Sequence, residues 1–209
     1  MSKVNLLHHP LVEHKLSHLR SKKTNSAQFR ELLEEISMLM AYEVTRDFSL
    51  VVKDIITPIE ETTAKFLAQK KVVLIPILRA GYGMLNGFLK FLPFSSVGQI
   101  GLYRDSVSRN IVEYYLKFPE SISQSSAIVL DPLLATGRSA DAALCRLKAA
   151  KPKSIKFVGV LASQEGLDYL SKSHPDVSIY IASVDKSLNS KKYIIPGLGD
   201  AGDRIFDTL

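Results

Sequence analysis

The first clear pattern in the chain is a set of apolar residues at helical spacing that begins near residue 25. Asn25 can cap a helix through its side chain, and Gln28 stands three residues later, which is the order found in a capping box. The apolar positions that follow are three or four residues apart, or adjacent: Phe29, Leu32, Leu33, Ile36 and Met40. This spacing predicts a helix with one buried face.

A second capping pattern lies at Thr57–Glu60. Thr57 can cap a helix, Pro58 occupies the first helical position, where a missing N–H is tolerated, and Glu60 comes three residues after the cap. We therefore expect another helix to begin here.

Short apolar runs and helical patterns alternate from residue 72 onward. Val72–Leu78 (VVLIPIL) has no polar residue in it, as expected for a strand that is covered on both faces. The alternation predicts an α/β fold with a mainly parallel, twisted sheet flanked by helices. The length of 209 residues fits one domain over residues 1–209. Further strands are predicted at Gln99–Arg104, Ser126–Leu130, Ile155–Leu161 and Ser178–Val184, and helices after Gly81, over Ser139–Lys151 and near Glu165–Ser173.

Two segments depart from this alternation. Ser106–Tyr115 combines a polar tip with an apolar and aromatic return, which predicts a β-hairpin. Tyr193–Leu209 is rich in Gly and Asp, and we expect it to form a loop over one edge of the sheet.

Composition narrows the class of protein. The hydrophobic fraction of 46% allows a sizeable core, and no apolar run is long enough to cross a bilayer. The first residues, MSKVNLLHHPLVEHK, do not have the pattern of a signal peptide. The single cysteine, Cys145, excludes an internal disulfide framework. We therefore expect a cytoplasmic protein without membrane contact.

The formal net charge of +6 suits an acidic partner, either a phosphorylated small molecule or nucleic acid. The basic residues are scattered, since Lys22–Lys23 and Lys191–Lys192 are pairs and not runs. A basic stripe with interleaved aromatic residues, typical of nucleic-acid binding, does not occur in the sequence. We therefore expect no nucleic-acid partner, although the charge is equally compatible with a surface that only aids solubility.

The segment with the most specific chemistry is Asp131–Ser139 (DPLLATGRS), between a predicted strand and a predicted helix. Ligands of open parallel sheets bind at the carboxyl ends of strands, where Asp131 falls, and its carboxylate can accept hydrogen bonds from a ribose diol. Small residues, the hydroxyls of Thr136 and Ser139, and the free N–H groups at a helix N-terminus can hold a phosphate. This order predicts a ribose 5-phosphate site, the alternative being an ordinary capped strand–turn–helix junction.

The same segment resembles the phosphoribosyl-pyrophosphate (PRPP) motif of type I phosphoribosyltransferases. Two acidic residues usually stand together in that family, and Pro132 in the second place is the form found in uracil phosphoribosyltransferases. ILRAG at 77–81, YRD at 103–105 and YIIPGLGDAGDR at 193–204 agree, so the resemblance covers essentially the whole chain. It implies the type I phosphoribosyltransferase fold, with a β-hairpin arm and a hood formed by the terminal segments. It also implies a homodimer or higher assembly that converts uracil and PRPP to UMP and diphosphate in pyrimidine salvage.

The resemblance further implies roles for individual residues. Arg79 and Arg104, each at the end of a predicted strand, would hold the pyrophosphate, because guanidinium groups bind phosphate oxygens bidentately. For either arginine alone, a surface salt bridge is the alternative role. Arg104 and Asp200 are the implied catalytic residues, and the uracil contacts fall on Ile194, Gly199, Asp200 and Ala201. The implied PRPP-binding residues are Arg79, Arg104, Asp131, Pro132, Leu133, Leu134, Ala135, Thr136, Gly137, Arg138, Ser139 and Asp200.

Mg²⁺ is the implied cofactor, bound through PRPP and touching Asp200 directly or through water; the sequence establishes no direct protein ligand. Asp200 could instead assist the loss of the uracil N1 proton, and both roles stay open. GTP, which activates some relatives, is a possible effector without an identified site. As a hypothesis, the Ser106–Tyr115 hairpin closes over PRPP and excludes water.

Some features allow other interpretations. Gly197–Gly202 matches the G-x-G-x-x-G pattern, but a dinucleotide site needs that pattern to open a helix inside a βαβ unit of about 30 residues. Arg138 stands where the family more often has Gly, and it would be strained if the position required a positive φ. Its side chain could contact phosphate or point to solvent. The histidines lie outside the motifs and are interpreted as surface or packing residues: His8, His9, His14, His18 and His174.

Two rival functions remain open at this point. One is a regulator that senses PRPP or binds nucleic acid, which need not keep Arg79, Arg104, Asp131 and Asp200 together. The other is a phosphoribosyltransferase for a different base, against which the segment GLGDAGD argues.

Overall fold

The computed structural model describes residues 3–68, 71–105 and 110–208, and of Arg104 it describes the backbone alone. The elements in chain order are β1 (Val4–Leu6), α1 (Pro10–Arg20), α2 (Ser26–Val44), β2 (Leu50–Ile56), β3 (Glu61–Leu67), β4 (Val72–Leu78), α3 (Tyr82–Phe91), β5 (Ser96–Val97), β6 (Gln99–Arg104), β7 (Ile111–Lys117), β8 (Ser126–Leu130), β9 (Leu133–Leu134), α4 (Arg138–Ala149), β10 (Ser154–Ser163), α5 (Gln164–Ser173), β11 (Ser178–Asp185), β12 (Ser187–Leu188), β13 (Ile194–Ile195) and α6 (Ala201–Phe206).

A mostly parallel sheet forms the centre of the molecule. Over the described ranges its strands lie in the order β1-β11-β10-β8-β4-β6-β7, with β5 beside β4 and β9 beside β10. β7 runs antiparallel to β6, and the other pairings in this sheet are parallel. The predicted α/β fold with a mainly parallel sheet is confirmed, and each strand predicted between residues 72 and 184 overlaps an observed strand.

Neighbouring residues of the central strands face two separate apolar cores. Val72 and Leu74 of β4 pack with residues of α1, α2 and α3, whereas Val73 and Ile75 pack with residues of α4 and α5. Because helices cover both faces of the sheet, every position from Val72 to Ile77 is buried. This two-sided cover explains why VVLIPIL shows no polar alternation.

The helix predicted after Asn25 is α2, and its capping box is formed as expected. The Gln28 N–H donates to Asn25 Oδ1 at 2.9 Å, and the Asn25 N–H donates to Gln28 Oε1 at 3.2 Å. The apolar face is buried at Phe29, Leu33, Ile36 and Met40.

The helix start predicted at Thr57–Glu60 was wrong, because these residues form the turn of an antiparallel hairpin between β2 and β3. Thr57 Oγ1 accepts hydrogen bonds from the Ile59 N–H at 3.2 Å and the Glu60 N–H at 3.0 Å. A threonine can satisfy N–H groups in this way in a turn as well as at a helix start. The β-branched residues on either side favour strands, so the capping pattern here belongs to a turn.

The hairpin predicted near residues 106–115 is confirmed in its strands. Gln99 pairs with Lys117, and the pairing runs to Arg104 opposite Ile111. Residues 106–109 of the predicted tip lie outside the described residues.

The loop predicted for Tyr193–Leu209 was only partly correct. Ile194–Ile195 forms β13, which pairs with β12, and Ala201–Phe206 forms helix α6. Asp200 caps this helix, since its Oδ1 accepts from the Asp203 N–H at 3.0 Å. The segment therefore has regular structure at two points and turns between them. Among the helices that the structure describes, none combines the length and the apolar character needed to span a membrane.

Candidate active site

A cleft of about 300 Å³ opens at the carboxyl ends of β4 and β8. Asp131 directly follows β8, and Arg79 directly follows β4. The cleft is also lined by the loop that leads into α4 and by residues 200–202 at the start of α6. Of the residues implied for PRPP, the structure brings Arg79, Asp131, residues 133–139 and Asp200 together from three separate parts of the chain.

One side of the cleft, residues 131–139, is called the phosphate wall below. The carbonyl of Pro132 accepts hydrogen bonds from the N–H groups of Val160 (3.1 Å) and Leu161 (3.0 Å) of β10. β9 then pairs with β10 at Leu161 and Ala162. These backbone bonds fix the loop against the central sheet before it turns into α4.

The turn into α4 depends on Gly137, which adopts φ +78°. A Cβ at this position would lie 2.8 Å from Tyr169 Cδ1, so both the conformation and the space exclude a side chain. Arg138 is the first residue of α4 and is not among the positive-φ residues, so the strain considered for Arg138 does not arise. The helix N-terminus faces the cleft with Gly137, Arg138 and Ser139, where free N–H groups can bind an anion.

Ser163 fastens the phosphate wall to α5. Its hydroxyl donates to the Ala135 carbonyl at 2.6 Å and accepts from the Gly166 N–H at 2.9 Å. A Cβ at Gly166 would lie 2.2 Å from the Ala135 carbonyl oxygen, so α5 comes as close as a glycine permits. Sequence reasoning missed both residues, although a serine between an apolar strand and a helix is a capping signal that could have drawn attention to Ser163.

Arg138 is held beside the cleft by a chain of polar contacts. Its guanidinium carbon lies 4.2 Å from the centre of the Tyr169 ring, and Nη1 donates to Tyr169 Oη at 2.7 Å. Tyr169 Oη donates to Asp141 Oδ2 at 2.9 Å, and Asp141 Oδ1 lies 2.8 Å from His174 Nε2. His174 is buried, in agreement with its interpretation as a packing residue. The Arg138 side chain is exposed but is held by these contacts, so its charge stays beside the phosphate wall.

Two carboxylates face the cleft. Burial is the main cause that raises the pKa of Asp131 to about 7. The negative charge of Asp200 raises this pKa further, and the hydrogen bond from the Leu133 N–H lowers it. The Leu133 N–H lies 3.4 Å from Asp131 Oδ1. Among the described side chains, neither Asp131 nor Asp200 forms an ion pair. Two mutually repelling carboxylates in one cleft are oxygen donors suited to a divalent cation, and a raised pKa is common at functional sites.

Arg79 lines the cleft but is paired with an acidic residue. Its Nη2 lies 3.0 Å from Asp203 Oδ1, and its guanidinium carbon lies 5.7 Å from the centre of the Phe206 ring. The side chain is 54% exposed, so solvent and an anion can reach it. Of the two implied pyrophosphate ligands, the structure places Arg79 in the cleft, whereas the side chain of Arg104 lies outside the described residues.

The residues implied for uracil, Ile194–Ala201, form a second side of the site and are called the base wall. Ile194, Gly199 and Asp200 line an adjoining cavity of about 250 Å³, and Ala201 lines the cleft itself. Gly199 adopts φ +84° and Gly197 adopts φ +63°, conformations that favour glycine. The cleft and the adjoining cavity share Leu133, Ala135, Thr136, Arg138, Ser139 and Asp200.

The G-x-G-x-x-G segment leads into a short helix, α6. α6 has six residues, and in the described chain no strand follows it. The βαβ unit of a dinucleotide site is therefore not formed by this segment.

Comparisons with known proteins identify the family of this chain. A family model described as uracil phosphoribosyltransferase matches residues 6–208. The chain belongs to the uracil phosphoribosyltransferase family. Two curated relatives with that name come from Polaromonas naphthalenivorans, 54% identical, and Staphylococcus epidermidis, 52% identical, each over 208 residues and 100% of both chains.

Solved structures share the fold of this chain. The AQ2163 protein from Aquifex aeolicus superposes with a TM-score of 0.93 at 35% identity and covers 98% of each chain. A hypoxanthine-guanine phosphoribosyltransferase from Bacillus anthracis superposes with a TM-score of 0.52 over 77% of this chain and 80% of its own. At 14% identity this second likeness shows the fold alone.

Proposed function

We propose that this protein catalyses the reaction of uracil with PRPP to give UMP and diphosphate, a pentosyl transfer used in pyrimidine salvage. The observation that carries the proposal is the meeting of the phosphate wall and the base wall at Asp200, which lines both the cleft and the adjoining cavity. A ribose phosphate held on one wall would thereby meet a base held on the other.

The phosphate wall would bind the ribose 5-phosphate half of PRPP. The N–H groups at the start of α4 and the hydroxyls of Thr136 and Ser139 would donate to the phosphate oxygens. The Asp131 carboxylate would accept hydrogen bonds from the ribose diol, which favours its ionised form. Fixing the sugar phosphate in this way would place the anomeric carbon for in-line attack.

Arg79 and Arg104 would bind the departing pyrophosphate. Negative charge develops on this group as the C1–O bond breaks, and preorganised cations stabilise that charge. Arg79 is paired with Asp203, so pyrophosphate would have to replace the Asp203 carboxylate at the guanidinium. The pair would keep Arg79 near the cleft until PRPP enters.

Asp131 and Asp200 are the residues that would hold Mg²⁺, together with the oxygens of PRPP, because carboxylates and phosphates are its usual ligands. When bound, the ion would neutralise charge on the leaving pyrophosphate. Burial is the main cause of the raised pKa of Asp131, and the negative charge of Asp200 adds to it, which indicates that the two carboxylates lie close enough to share an ion.

The base wall would recognise uracil through its backbone. The edge of uracil alternates acceptor, donor and acceptor, and the backbone of Ile194 with Gly199, Asp200 and Ala201 would supply the matching groups. Cytosine would be rejected because its amino group reverses one donor and one acceptor, leaving buried groups unpaired. Asp200, which lines both the cleft and the adjoining cavity, would either assist loss of the N1 proton or position the metal ion.

We further propose that the protein works as a homodimer or higher homo-oligomer in the cytoplasm, as family membership implies. GTP is a candidate effector on the same ground. Size-exclusion chromatography with light scattering tests the assembly, and initial rates measured with and without GTP test the activation.

The function is tested by pyrophosphate release from PRPP in the presence of Mg²⁺ and a panel of bases: uracil, cytosine, hypoxanthine and adenine. We expect release with uracil and formation of UMP. Release with another base only would support a different phosphoribosyltransferase, and PRPP binding without release with any base would support a PRPP sensor.

A further inference from the structure

An ion pair outside the cleft, between Arg20 and Asp185, binds the backbone of one residue of the base wall, Gly197. Arg20, the last residue of α1, donates from Nη1 to Asp185 Oδ2 at 2.7 Å and from Nη2 to Asp185 Oδ1 at 2.8 Å. Arg20 Nη1 also donates to the Gly197 carbonyl at 2.8 Å, and the Gly197 N–H donates to Asp185 Oδ2 at 2.9 Å. The pair therefore satisfies both the backbone N–H and the backbone carbonyl of Gly197, which belong to the two peptide groups on either side of its Cα.

The ion pair is largely removed from solvent. The side chain of Arg20 is 23% exposed and that of Asp185 is 8% exposed. Burial alone would raise the pKa of Asp185, but the hydrogen bonds from Arg20 and the Gly197 N–H and the charge of Arg20 lower it overall. The carboxylate is thus held ionised, with its oxygens aimed at fixed partners, and a partly buried pair of this kind is sensitive to the removal of either member.

Gly197 is the point at which the base wall leaves regular structure. β13 ends two residues earlier at Ile195, and Gly199, which lines the cavity, comes two residues later. Gly197 adopts φ +63°, and a Cβ there would lie 2.1 Å from the Ile194 carbonyl oxygen. A glycine turn of this kind has many accessible conformations, so partners outside the turn are needed to select one.

We infer that Arg20 and Asp185 are positioning residues for the base. They act by fixing the backbone of Gly197, which in turn sets the direction of the Gly199–Asp200 backbone. Neither residue lines the cleft or the adjoining cavity, so they do not touch the substrates. The inference rests on the proposed function, because it concerns the recognition of uracil at that site.

The role of Arg20 and Asp185 concerns the binding of uracil and not the binding of PRPP. The phosphate wall is fixed by backbone bonds to β10 and by Ser163, and the ion pair makes no contact with it. The Asp200 carboxylate, which would contact PRPP through Mg²⁺, is held separately by the Asp203 N–H at 3.0 Å. Loss of the pair should therefore weaken the use of uracil and leave the use of PRPP almost unchanged. A role in general stability would instead change both KM values together.

The test uses the full-length chain with Arg20→Lys and Asp185→Asn, and with Arg46→Lys and Glu43→Gln as matched controls. The control pair is also bidentate, with distances of 2.8 and 2.6 Å, but it lies on the surface of α2 and at its end. Arg20→Lys keeps the charge but cannot keep three directed hydrogen bonds. We expect KM for uracil to rise about tenfold in each test variant, with KM for PRPP within about twofold of wild type.

The double variant Arg20→Ala with Asp185→Ala, compared with the single variants Arg20→Ala and Asp185→Ala, adds a second measurement. If the two side chains act as one unit, its KM for uracil should be no higher than that of the worse single alanine variant. Amide hydrogen exchange at Gly197 and Gly199 should become faster in the single variants, and the controls should match wild type.

The outcomes distinguish the two levels of the proposal. A wild-type protein that releases no pyrophosphate with uracil would overturn the proposed function. An active wild type whose Arg20→Lys and Asp185→Asn variants shift both KM values equally, or shift neither, would overturn the positioning role alone.

Discussion

The phosphate wall and the base wall are built differently, although each contains a left-handed glycine. The phosphate wall is continuous with a buried strand and a helix, and its anchors are backbone bonds to the adjacent strand β10. The base wall has a two-residue strand and a short helix, and its anchors are arginines. One wall is held by the main sheet, whereas the other depends on a few charged side chains.

Arg204 shows how strongly the base wall relies on charge. Its Nη1 donates to the carbonyls of Leu19 (2.6 Å) and Leu198 (2.8 Å), and its Nη2 donates to the carbonyl of Ser21 at 2.7 Å. Burial lowers its pKa, which reflects the cost of removing this cation from water. The end of α1 is thereby tied to the base wall, so damage there should affect uracil before it affects PRPP.

The largest effect is expected from Asp131→Asn on the phosphate wall. Asparagine keeps the shape of the side chain but has no carboxylate. The carboxylate is the group that would accept hydrogen bonds from the ribose diol and contribute an oxygen to the metal site. We expect kcat/KM for PRPP to fall by about 100-fold or more, equivalent to roughly 3 kcal/mol. Steady-state kinetics would check this, and a loss under tenfold would remove Asp131 from the site.

The same variant should be more stable than the wild type above neutral pH. Folding raises the pKa of Asp131 from 3.8 to about 7, so the folded state binds the extra proton and its stability falls as pH rises between these values. Asparagine carries no such penalty, and we expect Asp131→Asn to gain on the order of 4 kcal/mol at pH 8 and almost nothing at pH 4. Urea unfolding at both pH values measures the difference, and an equal gain at both would contradict the assignment.

Asp200→Asn should lower turnover by about 10- to 100-fold while the fold stays intact, because asparagine caps a helix as well as aspartate does. The helix cap at Asp203 N–H is thereby preserved. The variant is compared with wild type by kcat and by thermal unfolding. Near-normal turnover would exclude Asp200 from the mechanism.

Arg104→Ala should raise KM for PRPP by about tenfold and change KM for uracil much less, since the guanidinium–phosphate contact proposed for Arg104 would be lost. Arg146→Ala is a control, because Arg146 forms a bidentate surface pair with Glu113 of the neighbouring strand β7. A larger change for uracil than for PRPP would overturn the role of Arg104.

The smallest effect is expected from Tyr169→Phe, which removes the hydroxyl that holds Arg138 but keeps the ring beneath it. We expect KM for PRPP to rise by about two- to threefold, in line with the loss of one exposed hydrogen bond to a charged group. An unchanged KM in Tyr169→Phe and Arg138→Ala alike would show that Arg138 does not contribute to PRPP binding.

The contrast between the walls also explains what the sequence could predict. The phosphate wall follows from neighbouring residues: an apolar strand, an acid, small residues and a helix in order. The hydrogen bonds and ion pairs that hold the base wall join residues that are far apart in the sequence. Arg20 and Asp185 are separated by 165 positions, so no local sequence pattern contains both. The family resemblance located Ile194–Ala201 but carried no information about how this segment is fixed.

At Thr57 a local sequence pattern was present, but it was compatible with two structures, a helix start and a turn. Its hydroxyl satisfies the N–H groups of Ile59 and Glu60, as a helix cap also would, and the pairing of β2 with β3 decides between the two structures. That pairing depends on residues on both sides of the turn, which a four-residue window does not include.

The most direct test of the division between the walls is a paired measurement on Gly137→Ala and Gly199→Ala. Both glycines have left-handed conformations, at φ +78° and +84°, so each alanine introduces a backbone strain of about 1–2 kcal/mol. At Gly137 the new Cβ would also lie 2.8 Å from Tyr169 Cδ1, so the effect there should be the larger of the two, whereas at Gly199 the nearest atom is Arg204 Cδ at 3.6 Å. Gly137→Ala should raise KM mainly for PRPP, and Gly199→Ala should raise it mainly for uracil. Parallel changes of both KM values in both variants would contradict the account.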